Sequence, residues 1–91
     1  MKIKYNGKNL GYVLKSLRRA LDMNQSLFVN LLKAKNVRIS VSSISKYEAN
    51  FISPFSEYSF LISVRDATKD ICDSKGIQLI VDDFTVTNED K

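Results

Sequence analysis

The sequence predicts a small, mainly α-helical protein with four to five helices, one short β-strand before the first helix and another after the last. Ninety-one residues, of which 44% are hydrophobic and 26% charged, suffice for one hydrophobic core but not for two. Most apolar residues recur at helical spacing, whereas the two ends carry alternating or β-branched runs. We therefore expect a single domain over residues 1–91.

The first 22 residues contain a strand pattern followed by a helix pattern. Met1–Tyr5 alternates apolar and basic side chains, which is typical of a half-buried strand. Asn6–Gly7 indicates a turn, and Asn9 is placed to cap a helix. The following apolar residues predict a first helix over about residues 9–22: Leu10, Val13, Leu14, Leu17 and Leu21.

Two shorter helices follow, each preceded by a capping residue. Asn24 is an expected N-cap for a second helix, about residues 25–34, that buries Phe28, Val29 and Leu32. Lys33–Ser40 breaks the periodicity and is predicted to be a connector. Ser40 is the expected N-cap of a third helix, about residues 41–49, with Ile44 and Tyr47 on its inner face.

The second half of the sequence predicts one long helix and a strand. After a second connector, Asn50–Pro54, the longest helical pattern begins at Ser56 and continues to Lys75, where Gly76 is well placed to end it. Residues 77–86 are rich in apolar and β-branched side chains and predict a strand. Because a two-stranded ribbon is marginal alone, the two strands should pair with each other on the fourth helix, or across a dimer.

Charge is divided unevenly along the chain. Residues 1–50 carry ten Lys and Arg side chains against Asp22 and Glu48, whereas residues 51–91 carry four against eight acidic ones. This asymmetry favours a polyanion as the partner of the first half, and a solvated basic surface without a partner is the alternative.

Several classes of protein are disfavoured by what the sequence lacks. No apolar run is long enough for a membrane span or a secretory signal. There is no His, no Gly-rich phosphate loop, and a single cysteine, Cys72. We therefore expect no enzyme activity, no metal, no cofactor and no membrane association, in a reduced, cytoplasmic protein.

Two segments carry a recognisable sequence motif. LKSLRRALDMNQSLFVNLL has Arg18 late in helix 1 and the pair Asn24–Gln25 at the start of helix 2. SVSSISKYEAN has the spacing Ser-x-x-Ser-Ile-Ser-x-Tyr-Glu from Ser40, and Pro54 follows six residues after its Glu. Over residues 9–72 this order resembles the helix-turn-helix domain of the phage Cro/CI repressor (XRE) family. The resemblance implies sequence-specific binding to a double-stranded DNA operator by a transcriptional regulator, a repressor or a Cro-like modulator.

In that arrangement the third helix lies in the major groove. The expected base contacts are Val41, Ser42, Ser45 and Lys46. Lys46 can donate to guanine, Ser hydroxyls specify weakly, and Val41 either touches a thymine methyl or simply packs. The resemblance supports a phosphate contact from Gln25 at the start of the second helix. The full set of expected phosphate contacts is Asn24, Gln25, Lys33, Lys35, Arg38, Ser43 and Asn50.

The resemblance also implies that Arg18 and Glu48 form a largely buried ion pair between helices 1 and 3. The competing interpretation is an exposed Arg18 that contacts phosphate. The connector between helices 2 and 3 departs from the family, because the usual turn has three or four residues and a Gly. Its basic residues either reach phosphates or only solvate the loop.

The assembly and the partner are the last expectations. Two-fold operators require two copies of such a domain, so we expect a homodimer. Its interface is predicted on helix 4 and the C-terminal strand, because their apolar surface exceeds what a three-helix core needs: Tyr58, Phe60, Leu61, Ile62 and Leu79–Val81. Two alternatives keep the scaffold: an antitoxin that holds the acidic segment 82–90 against a toxin, and a protein-binding inhibitor.

Overall fold

A computed structural model of the protein describes residues 1–81. Its elements follow in the order β1 (Lys2–Tyr5), α1 (Leu10–Ala20), α2 (Gln25–Ala34), α3 (Val41–Glu48), α4 (Glu57–Lys75) and β2 (Gln78–Val81). The mainly helical class and the two short strands are therefore as predicted, with four helices in the described residues. The last part of the predicted C-terminal strand, residues 82–86, lies outside them. Within residues 1–81, none of the helices combines the length and apolar character needed to cross a membrane.

One hydrophobic core joins all six elements. The predicted stripe of α1 is completely buried, as are Phe28, Val29 and Leu32 of α2 and Ile44 of α3. The long helix α4 adds Leu61 and Val64, and the aromatic rings of Tyr47 and Phe60 meet edge to face with centroids 5.5 Å apart. This aromatic pair connects α3 to α4.

The two strands pair with each other within the chain. They run parallel, with Lys2 opposite Gln78 and Tyr5 opposite Val81. Alternate side chains of both strands are buried, and the ribbon packs on α1 through β1 and on α4 through β2. The Tyr5 hydroxyl donates to Glu57 Oε1 at 2.6 Å, and burial together with this hydrogen bond raises the Tyr5 pKa above its ordinary value. Packing against two helices supplies the stability that a bare two-stranded ribbon lacks.

The starts of three helices are capped by side chains. Asn24 Oδ1 accepts the Leu27 N–H at 2.8 Å, and Ser40 Oγ accepts the Ser43 N–H at 3.1 Å, as predicted for both. Ser56 caps α4 in the same manner. Asn9 occupies the N-cap position of α1, as predicted, but its side chain makes no capping hydrogen bond. Its side chain instead stabilises the preceding turn, where it accepts the Asn6 N–H and donates to the Lys4 carbonyl.

The ends of all four helices share one backbone motif. A residue with positive φ follows the last turn, and the N–H after it donates to the carbonyl five residues earlier. The residues with positive φ are Asp22, Asn36, Asn50 and Gly76. Only Gly76 was expected in this role, but Asn and Asp also tolerate the left-handed conformation. Asn36 therefore replaces the Gly that the connector between α2 and α3 lacks.

Gly11 allows the start of α1 to lie directly against the end of α3. A Cβ at this position would be 2.7 Å from Asn50 Oδ1, 2.8 Å from the Glu48 carbonyl oxygen and 2.9 Å from the Tyr47 carbonyl oxygen. Two of these three neighbours are backbone atoms, which cannot move aside without shifting the helix. The close contact between α1 and α3 thus requires a residue without a side chain.

We predict that Gly11→Ala destabilises the fold although alanine is the better helix former. Helix propensity would favour alanine by up to about 1 kcal/mol, whereas overpacking against backbone costs about 1–3 kcal/mol. Urea unfolding followed by circular dichroism measures the difference, with Ser16→Ala in the same helix as the control that adds no atom. A Gly11→Ala variant at least as stable as the wild type would show that α1 and α3 separate without cost.

Candidate nucleic-acid interface

The two faces of α3 differ sharply in burial. Ile44 is completely buried and Tyr47 half-buried, as predicted for the inner face. The side chains expected to contact bases all lie on the exposed side: Val41, Ser42, Ser45 and Lys46. Val41 is 40% exposed, which leaves its methyl groups accessible to an apolar atom of a ligand. The helix is about 12 Å long, and an α-helix, about 10–12 Å in diameter, fits into a DNA major groove.

A bidentate ion pair fixes α3 to α1. Arg18 Nε lies 2.8 Å from Glu48 Oε2, and Arg18 Nη2 lies 2.9 Å from Glu48 Oε1. The third guanidinium nitrogen, Nη1, donates to the Met23 carbonyl oxygen at 3.0 Å. The side chains are only 13% and 3% exposed. The predicted buried pair is therefore confirmed, and the alternative of an exposed Arg18 is wrong.

Gln25 attaches α2 to the same carboxylate. Its Nε2 donates to Glu48 Oε1 at 3.1 Å, so one carboxylate at the end of α3 accepts bonds from both preceding helices. One amide N–H is thereby committed to the protein interior, which the sequence did not indicate. A phosphate contact at Gln25 stays a prediction. The donors available for it are the second amide N–H and the backbone N–H groups at the start of α2 that have no intrahelical partner.

The electrostatics of this cluster favour the charged forms of both groups. Burial by itself would raise the Glu48 pKa, but the hydrogen bonds from Arg18 and Gln25 and the charges of Arg18 and Lys15 together hold this pKa below its ordinary value. The hydrogen bond to Glu48 raises the pKa of Arg18. Glu48 is therefore a carboxylate at neutral pH, with its charge compensated inside the protein.

Burial of Glu48 together with Arg18 removes one carboxylate and one cation from the surface of the first half of the chain. Within residues 1–50, Asp22 is left as the exposed carboxylate, and it lies 3.9 Å from Lys75 Nζ. The exposed cations in the same range are Lys2, Lys4, Lys8, Arg19, Lys33, Lys35, Arg38 and Lys46. The net charge of this half is therefore unchanged, but its exposed charged side chains are eight cations and one carboxylate.

The remaining predicted phosphate contacts have mixed environments. Lys33, Lys35 and Arg38 are exposed, whereas Asn24 is occupied as a helix cap. Two others are engaged locally: the Ser43 hydroxyl accepts from the Ser40 hydroxyl at 3.1 Å, and Asn50 occupies the left-handed position against Gly11. The three cations of the predicted set, Lys33, Lys35 and Arg38, belong to no ion pair within residues 1–81.

The apolar surface left exposed is not where the sequence predicted it. Leu61, Leu79 and Val81 are buried in the core of the chain, and Tyr58, Phe60 and Ile62 pack against that core. The prediction that α4 and β2 carry surplus apolar surface is therefore wrong, because these side chains pack in the core of the same chain or against it. The exposed apolar side chains are concentrated instead on the α3–α4 connector: Phe51, Ile52 and Phe55, at 78%, 49% and 108% relative exposure.

Comparisons of the chain with models of protein families, with curated proteins and with solved structures found no match. Among residues 1–81, no group of His, Cys, Asp and Glu side chains could hold a metal ion, and Cys72 is buried.

We predict that Arg18→Ala costs about 3–5 kcal/mol of unfolding free energy, because it leaves the buried Glu48 carboxylate without its partner. Arg19→Ala is the matched control: Arg19 is the next residue of α1, is exposed, and should change stability by no more than about 0.5 kcal/mol. Chemical denaturation of the two variants side by side measures both values. Equal losses would mean that the pair does not stabilise the fold.

Proposed function

We propose that this protein is a sequence-specific double-stranded DNA-binding protein of the helix-turn-helix type, and that it acts as a transcriptional regulator. In this proposal α2 and α3 are the helix pair, and α3 lies in the major groove. The proposed activity is binding alone, with no chemical step. The resemblance of residues 9–72 to Cro/CI repressors supports the same class.

The observation that carries the proposal is the outward face of α3. It presents three hydrogen-bonding side chains, Ser42, Ser45 and Lys46, without any acidic group, while the single carboxylate of that helix is turned inward and neutralised by Arg18. A face of this composition can donate to base edges without repelling phosphates. The ion pair and the Gln25 bond hold the helix in one orientation, which recognition of a fixed base sequence requires.

The surroundings of α3 support an anionic partner. Exposed Lys and Arg side chains greatly outnumber exposed carboxylates over residues 1–50. Phosphate contacts from such residues supply most of the affinity of a DNA-binding protein, whereas a few base contacts supply its specificity. This mode of binding needs a basic surface that contacts phosphates and a short polar helix face that contacts bases.

The proposal predicts duplex binding that weakens steeply with salt and that depends on Lys46 for its sequence preference. A preferred duplex is selected from a randomised pool, and dissociation constants are measured for it and for a scrambled duplex at several salt concentrations. Lys46→Ala should lose about 1–3 kcal/mol on the preferred duplex and relax preference at one position. Lys69→Ala also removes one positive charge, but from α4, and it should leave the sequence preference unchanged.

Two results would contradict the proposal. Absence of binding to any duplex at low salt would remove DNA binding altogether, and capture of an acidic protein partner in its place would favour the inhibitor or antitoxin alternative. Binding without any selected sequence would remove specificity while leaving a non-specific duplex binder.

We further propose that the protein binds its operator as a homodimer through the α3–α4 connector. Phe51, Ile52 and Phe55 form the largest concentration of exposed apolar side chains in the described residues. Exposed apolar side chains that lie close together mark interaction surfaces, and these three lie within five positions of the chain. The connector begins directly after α3, so two copies that meet there would also bring their α3 helices near the same two-fold axis.

Light scattering on the protein alone and on its complex with the selected duplex tests this assembly. The wild type should place two chains on one duplex, whereas Phe51→Ser/Phe55→Ser should place one chain or bind much more weakly. Leu27→Ser, which also removes an exposed apolar side chain, is the control and should behave like the wild type. A two-chain complex with the double variant would show that the interface lies elsewhere.

A further inference from the structure

The connector between α2 and α3 is longer than a helix-turn-helix turn, yet its backbone is firmly held. Six residues, Lys35–Ser40, separate the two helices. The positive φ of Asn36 lets the Val37 N–H bond to the Leu32 carbonyl oxygen at 2.9 Å. Val37 and Ile39 pack against the core, and Ser40 caps α3. The backbone positions from which Lys35 and Arg38 extend are therefore fixed.

The three cations of this region lie in two different surroundings. Lys33 and Arg38 line one surface groove together with Asn36, Val37 and Ile39, and no acidic residue borders it. Lys35 instead lines a neighbouring groove on the α4 side, where Asp66 and Ser63 are present. The sequence predicts the same role for all three cations. In the structure, Lys33 and Arg38 lie together without a carboxylate in their groove, whereas Lys35 shares its groove with Asp66.

The pair in the first groove has no internal partner. Within residues 1–81, neither Lys33 nor Arg38 belongs to an ion pair. The position of Lys33 in the last turn of α2 suits the negative end of that helix, but Arg38 lies two residues before the positive end of α3. Positive charge thus accumulates at this place, and an anion in the groove would relieve the repulsion.

We propose that Lys33 and Arg38 each contact a phosphate of the duplex backbone beside the bases contacted by α3, and that Lys35 does not. This inference rests on the proposed function and refines it. The groove extends to Ile39, next to the cap of α3, so a backbone that passes the exposed start of α3 also passes the groove. Arg38 can hold a phosphate with two parallel hydrogen bonds, and Lys33 supplies a point charge.

The test compares salt dependences of binding for single charge removals. For each variant, dissociation constants for the selected and the scrambled duplex are measured over a series of salt concentrations. A cation that neutralises one phosphate contributes about 0.9 to the slope of log K against log salt. Lys33→Ala and Arg38→Ala should each reduce the slope by about 1 on both duplexes, with their preference unchanged. Lys35→Ala is the matched control and should leave the slope near that of the wild type.

Arg38→Lys separates charge from other effects, because it keeps the charge and should therefore retain the slope. Thermal melts verify that these exposed substitutions leave the fold intact. An equal loss of slope in Lys35→Ala would overturn the assignment, since net charge alone would then explain the result. If the wild type selects a sequence but Lys33→Ala and Arg38→Ala leave the slope unchanged, this inference is overturned and the proposed function stands. If the wild type binds no duplex, both this inference and the proposed function fail.

Discussion

The structure depends on one buried carboxylate. Glu48, at the last turn of α3, accepts two bonds from Arg18 of α1 and one from Gln25 of α2, so three helices meet at a single charge. Burial of a charge is costly unless every bond is made, and the same cost makes other packings of α3 unfavourable. The orientation of α3 is therefore determined by an ionic contact in addition to a hydrophobic one.

Two further contacts make the position of α3 unique. Gly11 lets the start of α1 lie against the carbonyl groups at the end of α3. Tyr47 of α3 packs against Phe60 of α4. A short helix of eight residues is marginal by itself, so its stability comes from such tertiary contacts. In consequence, every inward side chain of α3 serves attachment, and only the outward ones are left for a ligand.

Local features of this fold follow from the sequence, and long-range ones mostly do not. Asn24, Ser40 and Gly76 mark helix boundaries because caps act within a few residues, and apolar periodicity gives each helix. The Arg18–Glu48 pair was expected only through a family resemblance, since nothing local links residues thirty positions apart. The need for Gly11, the bond of Gln25 to Glu48 and the use of Leu79 and Val81 inside the core all depend on partners distant in sequence. The positive φ at Asn36 does have a local signal, because Asn tolerates the left-handed conformation and follows the end of a helix.

The parallel ribbon has a consequence for folding. Strand β1 pairs with β2 across almost the whole described chain, with Lys2 opposite Gln78, whereas the caps and helix ends involve near neighbours. Closing so long a loop has a high entropic cost, and this cost falls on the ribbon rather than on the helices. Contacts of such long sequence separation slow folding. The ribbon also covers residues of α1 and α4, so any state in which the two strands are unpaired leaves those residues open to solvent.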